Sequence, residues 1–484
     1  MPEAPALRAG GRRPRVLLVD PYMAREDPME RKFIELYPSL GLLTLGAFLR
    51  EEAVDVAMVD LTFARDLRPV DSSLARFVPD VVGVHTKTLI AGRAMEIAER
   101  ARAAGALSVA GGPDAASRPE LYLRAGFDAV VPGEGERTLT DLARRAAARA
   151  PIAETPGLLT WNGSAILRGP PRPMVRDLDA LPLPAWDLVD MEAYLGRWER
   201  QSGERRAAVL TSRGCPFDCS WCSKPTFGRT FRQQSPGRVL EELVALKERY
   251  HVDYVRFCDD VFGISRSWLE MLLDGMLERR LGLKFECLAR VDLLKPDLLR
   301  RMREAGLARV YVGVESGSQK MLDLMNRGTK VQQIERTAEA LRRAGIRQFW
   351  FLMLGYPGES LEDLEATFQL FRRFSPEEYS VSIAVPVPGT RFHETLKGKV
   401  SVDGRRTRGS GGRTLLYEAA YGEALYRWAQ ARFELEAALG KARDKISPRL
   451  VARLERAADR FHRQVATPLL TGGESAAPAR EITR

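Results

Sequence analysis

Short apolar runs alternate with amphipathic helical patterns along the first 150 residues of the chain. Four runs of six or seven residues predict buried strands, at 15–20, 54–60, 80–86 and 107–112. Helical spacing of apolar residues predicts helices between them, at 40–52 and 94–105. Strands that alternate with helices form a parallel sheet covered by helices on both faces, so residues 1–150 are predicted to be a doubly wound, Rossmann-like α/β domain.

The same alternation starts again near residue 206 and continues to residue 395. Six apolar runs predict strands, at 207–212, 254–259, 285–290, 310–315, 349–354 and 380–385. Amphipathic stretches such as 236–250 predict the helices between them. Six strand and helix units predict a partial (β/α)6 barrel, in which ligands bind at the carboxyl ends of the strands.

Two segments do not follow this alternation. Residues 151–205 are predicted to be a connector, with a hairpin over 158–168 around the turn residues Asn162 and Gly163. Residues 396–484 are predicted to be a small helical C-terminal region, because apolar residues recur there at helical spacing. Within that region the basic, glycine-rich stretch 397–413 predicts a mobile loop, and the last residues are predicted to be disordered.

Composition and charge narrow the class of protein. The 484 residues are 45% hydrophobic and 29% charged, which is typical of a soluble globular protein of two or three domains. No stretch reaches the roughly 18 uncharged apolar residues that a membrane-spanning helix needs, so we expect a cytoplasmic protein without a membrane partner. The net charge of +10 allows nucleic acid or an anionic substrate as a partner. Because the arginines are spread along predicted helices and no RNA-binding signature is present, nucleic-acid binding is not expected.

Three of the five cysteines lie within eight residues, as C-x3-C-x2-C at Cys215, Cys219 and Cys222. This loop directly follows the first predicted barrel strand. Three thiolates in one loop can hold three irons of a 4Fe–4S cluster and leave the fourth iron open to a small molecule. Zinc or a purely structural role is the alternative, but the four histidines lie far from the loop in sequence. Cys258 and Cys287 are expected to be buried small hydrophobic residues.

The cysteine loop resembles that of the radical S-adenosylmethionine (SAM) superfamily, whose defining motif is C-x3-C-x-aromatic-C, with Trp221 as the aromatic residue. The resemblance extends over the predicted barrel, at 257–263, 288–294, 313–318, 351–360 and 386–393. Upstream, the sequence is similar to the cobalamin-binding domain that precedes the barrel in one large subfamily, the class B radical SAM methyltransferases. That similarity lies at 39–61, 109–123, 129–142 and 178–188.

The resemblance implies that Cys215, Cys219 and Cys222 ligate a 4Fe–4S cluster and that SAM binds the open iron. One electron from the cluster then cleaves SAM to methionine and a 5′-deoxyadenosyl radical. Further residues are implied in SAM binding by their places in the motifs: Asp259 and Asp260 near the amino group, Glu315 and Ser316 at the ribose or amino group, Arg290 at the carboxylate, and the backbone of Gly355 to Pro357 at the adenine.

These residues also have structural interpretations. Asp259 and Asp260 could cap a helix or act directly in catalysis. Glu315 could cap a helix, Gly355 could make a turn together with Gly358, and Arg290 could pair with Asp292 on the surface. All of them are predicted at carboxyl ends of barrel strands, which favours the ligand-binding interpretation.

Glycine-rich strand ends in the first domain predict a site for a large ligand. Gly111 and Gly112 in "GGPD", and Gly133 and Gly135 in "PGEGE", allow a ligand to approach the backbone closely. Neither motif is G-x-G-x-x-G, so a dinucleotide is poorly supported, whereas the resemblance implies cobalamin. His85 lacks the D-x-H-x-x-G context of a cobalt ligand and is expected to be a core or strand-end residue. Some members of the subfamily keep this domain and lose the cofactor.

Three functions are compatible with these features. The leading hypothesis is a radical SAM, cobalamin-dependent methyltransferase for a small biosynthetic intermediate. It would take hydrogen from an unactivated carbon and methylate that carbon, or less often methylate a phosphinate. The second is a radical dehydratase, deoxygenase or cyclase for a sugar-like natural product that leaves cobalamin unused. The third is a non-enzymatic cobalamin or iron–sulfur sensor whose segment 397–413 binds a partner. Either enzyme needs an electron donor such as flavodoxin or ferredoxin, and its substrate contacts are expected at the barrel mouth and after residue 395.

Overall fold

The computed structural model describes residues 12–27, 36–223, 226–387, 389–396, 421–443 and 447–471. The basic segment 397–413 and the residues after 471 lie outside these ranges. The chain divides into two compact units. The first unit comprises residues 1–216, 224–262 and 266–284, and the second comprises 217–223, 263–265 and 285–484.

A seven-stranded sheet forms most of the first unit, with the strand order β2-β1-β3-β4-β5-β6-β7. The first five strands run parallel and the last two are antiparallel. The strands are β1 (Arg15–Asp20), β2 (Asp55–Asp60), β3 (Val81–His85), β4 (Leu107–Gly111), β5 (Ala129–Val131), β6 (Leu159–Trp161) and β7 (Ile166–Arg168). The flanking helices are Leu40–Glu51, Arg68–Phe77, Ala91–Ala103, Pro113–Ser117, Pro119–Arg124 and Glu136–Ala147.

The central strand β1 shows why its sequence is a continuous apolar run. Leu17 and Val19 belong to the hydrophobic core on one face of the sheet, and Val16 and Leu18 belong to the core on the other face. Successive side chains of a strand point to opposite faces, so a strand buried on both faces must be apolar at every position. The doubly wound domain predicted from the sequence is confirmed. Its strand order reverses between β1 and β3, and the crevice at such a switch point is where open α/β sheets bind ligands.

The predicted hairpin at 158–168 is confirmed as β6 and β7, and its strands extend the first sheet. The side chain of Asn162 accepts hydrogen bonds from the backbone N–H groups of Ser164 and Ala165, which closes the turn. A helix that the sequence analysis did not predict follows at Met191–Ser202. The hydroxyl of its buried residue Tyr194 donates a hydrogen bond to the Asp60 carboxylate at 2.5 Å. The connector is therefore part of the first unit.

The first barrel-type strands also belong to the first unit. They are β8 (Arg206–Val209), the short strands β9 (Ser212–Arg213) and β10 (Arg232–Gln233), and β11 (Tyr254–Phe257), with helices Pro236–Tyr250 and Arg266–Glu278. β8 and β11 are parallel, whereas β9 and β10 form an antiparallel pair on either side of the cysteine loop. The strand predicted at 207–212 ends early, at Val209. The cause is Asp259, whose carboxylate accepts the backbone N–H of Thr211 and takes it out of the strand ladder.

Four parallel strands in the order β15-β14-β13-β12 form the sheet of the second unit. They are β12 (Lys284–Ala289), β13 (Leu307–Glu315), β14 (Arg347–Leu354) and β15 (Glu378–Ile383). The helices are Pro296–Glu304, Gln319–Leu324, Val331–Arg343, Leu361–Phe374, Arg391–Thr395, Glu423–Arg443 and Pro448–Thr471. Phe433 packs against Phe368 and Phe371, with ring centroids 4.6 and 5.1 Å apart, so the predicted C-terminal helix joins this core.

The fold class predicted from the sequence is confirmed, since a doubly wound α/β domain precedes further parallel strand and helix units. No helix in the part of the chain that the structure describes is long and apolar enough to cross a membrane.

Loss of the Tyr194 hydroxyl is expected to destabilise the first unit. Tyr194→Phe removes the 2.5 Å hydrogen bond to the half-buried Asp60 carboxylate and should lower the free energy of unfolding by about 1–3 kcal/mol, measured by urea denaturation. Tyr22→Phe is the control, because the Tyr22 hydroxyl contacts Asp27 in a more exposed setting, and it should change stability by less than about 1 kcal/mol. Equal effects of the two substitutions would contradict the anchoring role of Tyr194.

Candidate functional site

A cleft with about 980 Å³ of empty space, including the part open to solvent, lies in the first unit at the carboxyl ends of the parallel strands. Both predicted glycine motifs line it, through Gly111, Gly112, Gly133 and Gly135. Gly112 has φ +103°, and a Cβ there would lie 2.7 Å from the His85 ring and 2.8 Å from the carbonyl oxygen of Thr86. A Cβ on Gly111 would have only one neighbour, 4.0 Å away. The wall of the cleft is therefore open beside Gly111, whereas the missing side chain of Gly112 makes room for His85 and Thr86.

His85 is the last residue of β3 and lines the cleft. Its Nδ1 atom lies 3.6 Å from the Asp20 carboxylate and 3.5 Å from the Ser39 hydroxyl. Burial raises the pKa of Asp20, but His85 and Lys87 outweigh burial and lower that pKa below its ordinary value. His85 is therefore held by neighbouring polar groups at a strand end, the position expected for it from the sequence.

Buried ion pairs connect the "PGEGE" loop to the strand before the cysteines. The Arg213 guanidinium lies 3.0 Å from Glu134 and 2.6 Å from Glu136, and all three side chains are at least nine-tenths buried. Arg232 also pairs with Glu134, at 2.6 Å. Arg213 and Phe227, which stand on either side of the cysteine loop in sequence, both line the cleft. The cleft is therefore lined in part by segments that lie next to the cysteine loop in sequence.

The three cysteines differ in exposure: Cys215 is buried, Cys219 is half-buried and Cys222 is exposed. Cys215 belongs to the first unit, and Cys219 and Cys222 belong to the second. Trp221 packs against a core of the second unit that contains Met325, Tyr356 and Phe392. Within the described ranges, no group of three or more His, Cys, Asp or Glu side chains is arranged to hold a single metal ion. Three thiols in one loop are nevertheless the donor set of a cubane cluster with one open iron.

Asp259 is buried after β11 and accepts three hydrogen bonds on one oxygen, from the Thr211 N–H and from the hydroxyls of Thr211 and Ser212. Burial raises the pKa of Asp259 to about 6. Its Oδ2 atom has no hydrogen-bond partner in the described part of the chain. Asp260, by contrast, is exposed. The paired carboxylates of the sequence therefore occupy different environments, and Asp259 braces the segment before the cysteine loop.

A second buried carboxylic acid lies near Asp259. Glu242, in the helix Pro236–Tyr250, is 2% exposed, and its Oε1 has no hydrogen-bond partner among the described residues. Burial, together with the negative charge of Asp259, raises the pKa of Glu242 to about 8. Glu242 is therefore largely protonated at neutral pH, a state that the sequence did not indicate.

Charged residues gather at the carboxyl ends of the strands in the second unit. Glu315 ends β13 with φ +62°, and its carboxylate lies 3.8 Å from the Arg327 guanidinium. Burial raises the pKa of Glu315, while Arg327 and Arg290 oppose that effect. Arg290 pairs with Asp292 at 2.9 Å and lies over the Phe217 ring, 3.7 Å from its centroid. The ion pair of Arg290 with Asp292 that the sequence allowed is therefore present, but Arg290 is only 2% exposed, so the pair is not a surface pair.

Other predicted SAM contacts take part in loop structure. The Ser316 hydroxyl lies 3.1 Å from the Thr367 hydroxyl and accepts the backbone N–H of Ser318. Gly355 has φ +78°, which a turn requires, and its N–H donates to the Glu359 carboxylate at 2.7 Å. Pro357 is half-buried in the same turn. Their contacts with SAM remain predictions.

Sequence reasoning missed Arg327, Glu359 and Arg213. Arg327 follows a short helix and carries no motif of its own, and Arg213 was one arginine among many. Glu359 closes the "GYPGE" turn that was noted only for its glycines, and burial raises its pKa to about 8. The sequence signal that could have identified these residues is a charged side chain within a few positions of a glycine at a strand end.

The two remaining cysteines are not alike. Cys287 is buried within β12, as predicted. The prediction was wrong for Cys258, which is exposed, because it stands one residue beyond the end of β11. None of the five cysteines, all of which are described, forms a disulfide.

Comparison with known families places two domains on the chain. Residues 32–143 match the B12 binding domain, and residues 209–371 match the radical SAM superfamily. A Pyrococcus horikoshii protein named as an uncharacterized methyltransferase is 31% identical over 389 residues, which cover 78% of this chain and 82% of the relative. An anaerobic magnesium-protoporphyrin IX monomethyl ester cyclase of Rubrivivax gelatinosus is 28% identical over 375 residues, 75% of this chain and 66% of the relative.

The fold is similar to that of solved cobalamin-dependent enzymes. The structure of the cobalamin-dependent S-adenosylmethionine radical enzyme OxsB, with aqua-cobalamin and S-adenosylmethionine bound, matches with a TM-score of 0.71 at 16% identity. The match covers 93% of this chain and 72% of OxsB. The two domain matches identify the cofactors of the chain as a 4Fe–4S cluster, SAM and cobalamin.

The raised pKa of Glu242 predicts a pH dependence of stability. The folded protein holds this proton up to about pH 8, whereas an unfolded glutamic acid loses it near about pH 4.3. The contribution of Glu242 to the free energy of unfolding is therefore fully present below about pH 4. It is lost as the pH rises to about 8. Glu242→Gln should remove this loss and gain on the order of 1–4 kcal/mol over the wild type at about pH 8.

Urea midpoints measured from about pH 5 to about pH 8 test this dependence. Glu241→Gln is the matched control, since Glu241 lies on the same helix with its side chain 65% exposed, and it should leave the slope unchanged. Parallel slopes for the wild type and Glu242→Gln would show that Glu242 is ionised in the folded state.

Proposed function

The chain belongs to the radical SAM superfamily, in the group whose B12 binding domain precedes the radical SAM domain, and we propose that it methylates a carbon atom of a small-molecule substrate. One observation carries the proposal: the glycine-lined cleft is bounded by Arg213 and Phe227, which flank the cysteine loop. A corrin in the cleft and a cluster on the loop would then serve one reaction. The predicted segments 1–150, 151–205, 206–395 and 396–484 are kept as proposed domain boundaries.

The residues proposed to hold the cofactors follow from their chemistry. Cys215, Cys219 and Cys222 supply three thiolates, and Gly111, Gly112, Gly133 and Gly135 line the cleft proposed for the corrin, which is most open beside Gly111. When bound, the cluster and cobalamin supply one-electron cleavage of SAM and a transferable methyl group.

Buried charges of the chain suit the binding of SAM. The Arg290 Nη1 atom has no hydrogen-bond partner among the described residues, and its guanidinium fits the carboxylate of SAM. Glu315 offers a buried carboxylate to the amino group or a ribose hydroxyl, and Asp259 offers its Oδ2 atom. Ser316 and Asp260 are kept as further contacts. Glu359 holds the turn from Gly355 to Pro357 in the shape that presents its backbone to the adenine.

Trp221 anchors the cysteine loop by packing against the apolar core of the second unit, while the neighbouring Cys222 is exposed. A one-electron donor such as flavodoxin or ferredoxin is required by the chemistry. Substrate contacts are proposed at the carboxyl ends of β12 to β15 and in the helical region after residue 395.

A second candidate is a radical cyclase, or a dehydratase or deoxygenase, that needs no methyl transfer. The similarity to the Rubrivivax protein favours it, because that relative is named as a cyclase and not as a methyltransferase. The two candidates differ in their SAM products, since only methylation yields S-adenosylhomocysteine.

Product analysis of the anaerobically reconstituted enzyme tests the proposal. With cobalamin and a reductant, mass spectrometry should detect both 5′-deoxyadenosine and S-adenosylhomocysteine when substrate is present, and Cys219→Ala should form neither. Cys258→Ala is the control and should retain SAM cleavage, because Cys258 lies outside the C-x3-C-x2-C motif. Turnover without S-adenosylhomocysteine would replace methylation with the second candidate, and cleavage by Cys219→Ala would overturn the cluster assignment.

Filling the cleft is expected to expel cobalamin. Gly111→Leu puts a side chain into space that is open in the structure, and it should weaken cobalamin binding by at least about tenfold in a spectral titration. Gly111 is a cleaner probe than Gly112, where any side chain would strain the backbone and strike His85.

Two further variants complete this test. Gly92→Leu is the matched control, since Gly92 also has open space around it but does not line the cleft, and it should bind cobalamin as the wild type does. His85→Ala should leave the visible spectrum of bound cobalamin unchanged, because His85 is not expected to ligate cobalt. Wild-type affinity in Gly111→Leu would place the corrin elsewhere.

A further inference from the structure

Arg327 lies against one of the cluster-type cysteines within the second unit. Its Nη1 atom is 3.6 Å from the Cys219 sulfur, within hydrogen-bonding range for sulfur, and its guanidinium is 6.0 Å from the Trp221 ring centroid. The side chain is only 8% exposed. A buried positive charge thus points at a thiol that the family motif assigns to the cluster.

Several contacts hold the guanidinium in this place. Its Nη2 atom donates to the carbonyl oxygen of Gly313 at 3.0 Å, and its Nε atom lies 3.8 Å from the Glu315 carboxylate. A Cβ on Gly313 would lie 2.5 Å from the Arg327 Nη2 atom and 2.5 Å from a Glu315 oxygen. The missing side chain of Gly313 therefore provides the space that Arg327 occupies.

The chain around Arg327 is also bound to the cysteine loop. The carbonyl oxygen of Met325 accepts the backbone N–H of Ser220 at 3.0 Å. The side chain of Asn326 donates to the carbonyl oxygen of Asp218 at 2.6 Å. The segment that carries Arg327 and the loop that carries Cys219 are thus joined by hydrogen bonds on either side of the contact between guanidinium and sulfur.

Charge determines what this contact does to a cluster. Reduction of a 4Fe–4S cluster by one electron adds one negative charge to the cluster and its thiolates. Hydrogen bonds to the sulfurs and nearby charge set the reduction potentials of such clusters. A fixed cation in a buried site stabilises the more negative state more strongly than it would in water.

We propose that Arg327 hydrogen-bonds the Cys219 thiolate in the loaded enzyme and raises the reduction potential of the cluster. Arg327 acts through Cys219 and is thus a positioning residue. The inference rests on the proposed cluster ligation by Cys219 and adds the residue that adjusts how readily the cluster accepts its electron. A low-potential one-electron donor supplies that electron.

The experiment is an anaerobic redox titration of the full-length, reconstituted protein without SAM, followed by the electron paramagnetic resonance signal of the reduced cluster. Arg327→Met should keep about four irons per chain, and its equilibrium constant for reduction should fall about tenfold, a shift of about 59 mV to more negative potential. Arg327→Lys keeps the charge without the fixed planar donor group and should fall between wild type and Arg327→Met.

A matched control comes from the same loop. Arg391 forms an ion pair with Asp218, one residue before Cys219, and its side chain is 48% exposed. Arg391→Met should leave the potential unchanged. Gly313→Ala keeps the arginine but displaces its guanidinium, so it should shift the potential in the same direction as Arg327→Met.

The outcomes separate this inference from the proposed function. If the wild type carries no four-iron cluster, the proposed function fails. If Arg327→Met carries the full cluster at the wild-type potential, the inference is overturned while the cluster stands. If Arg327→Met does not retain iron, the reduction potentials of Gly313→Ala and Arg327→Lys test the inference in its place. Wild-type potentials in both variants would overturn it.

Discussion

The buried ion pairs of Arg213 with Glu134 and Glu136 are the interaction on which the candidate site of the first unit depends. Removing a charge from water costs several kcal/mol unless a partner compensates it, so breaking one member leaves an uncompensated buried charge. Arg213 stands two residues before Cys215, and both glutamates line the cleft, Glu134 in the glycine-rich loop and Glu136 at the start of the helix that follows it. One set of charges therefore shapes the cleft and the entry to the cysteine loop together.

The second unit uses buried charge in a comparable way. Glu315, Arg327 and Arg290 lie at the carboxyl ends of parallel strands or in loops packed there, and each is at least nine-tenths buried. The aromatic faces of Phe217 and Trp221 accompany the two arginines. The same burial makes each charge sensitive to a bound ligand of opposite sign.

Much of the fold was predictable because strands buried on both faces have a simple sequence signature. The predicted runs at 15–20 and 349–354 lie within β1 and β14, and the helix predicted at 236–250 has those bounds in the structure. Predictions failed where a side chain competes with the backbone ladder, as Asp259 does at Thr211. The helix Met191–Ser202 was missed because its buried face is short and mixed, with Met191 and Leu195 beside the aromatic residues Tyr194 and Trp198, a weaker pattern than a long aliphatic stripe.

The sequence by itself determined the cysteine motif, the glycine-rich strand ends and the alternation of strands and helices, because spacing and backbone freedom are local properties of the chain. It did not reveal that Glu242 and Glu359 are buried with raised pKa values, that Cys258 is exposed, or that Arg327 contacts Cys219. Burial and the pairing of charges depend on residues that are distant in sequence, as Arg327 is from Cys219. Only the tertiary structure could decide them, since it alone sets which charge lies beside which and how much water remains between them.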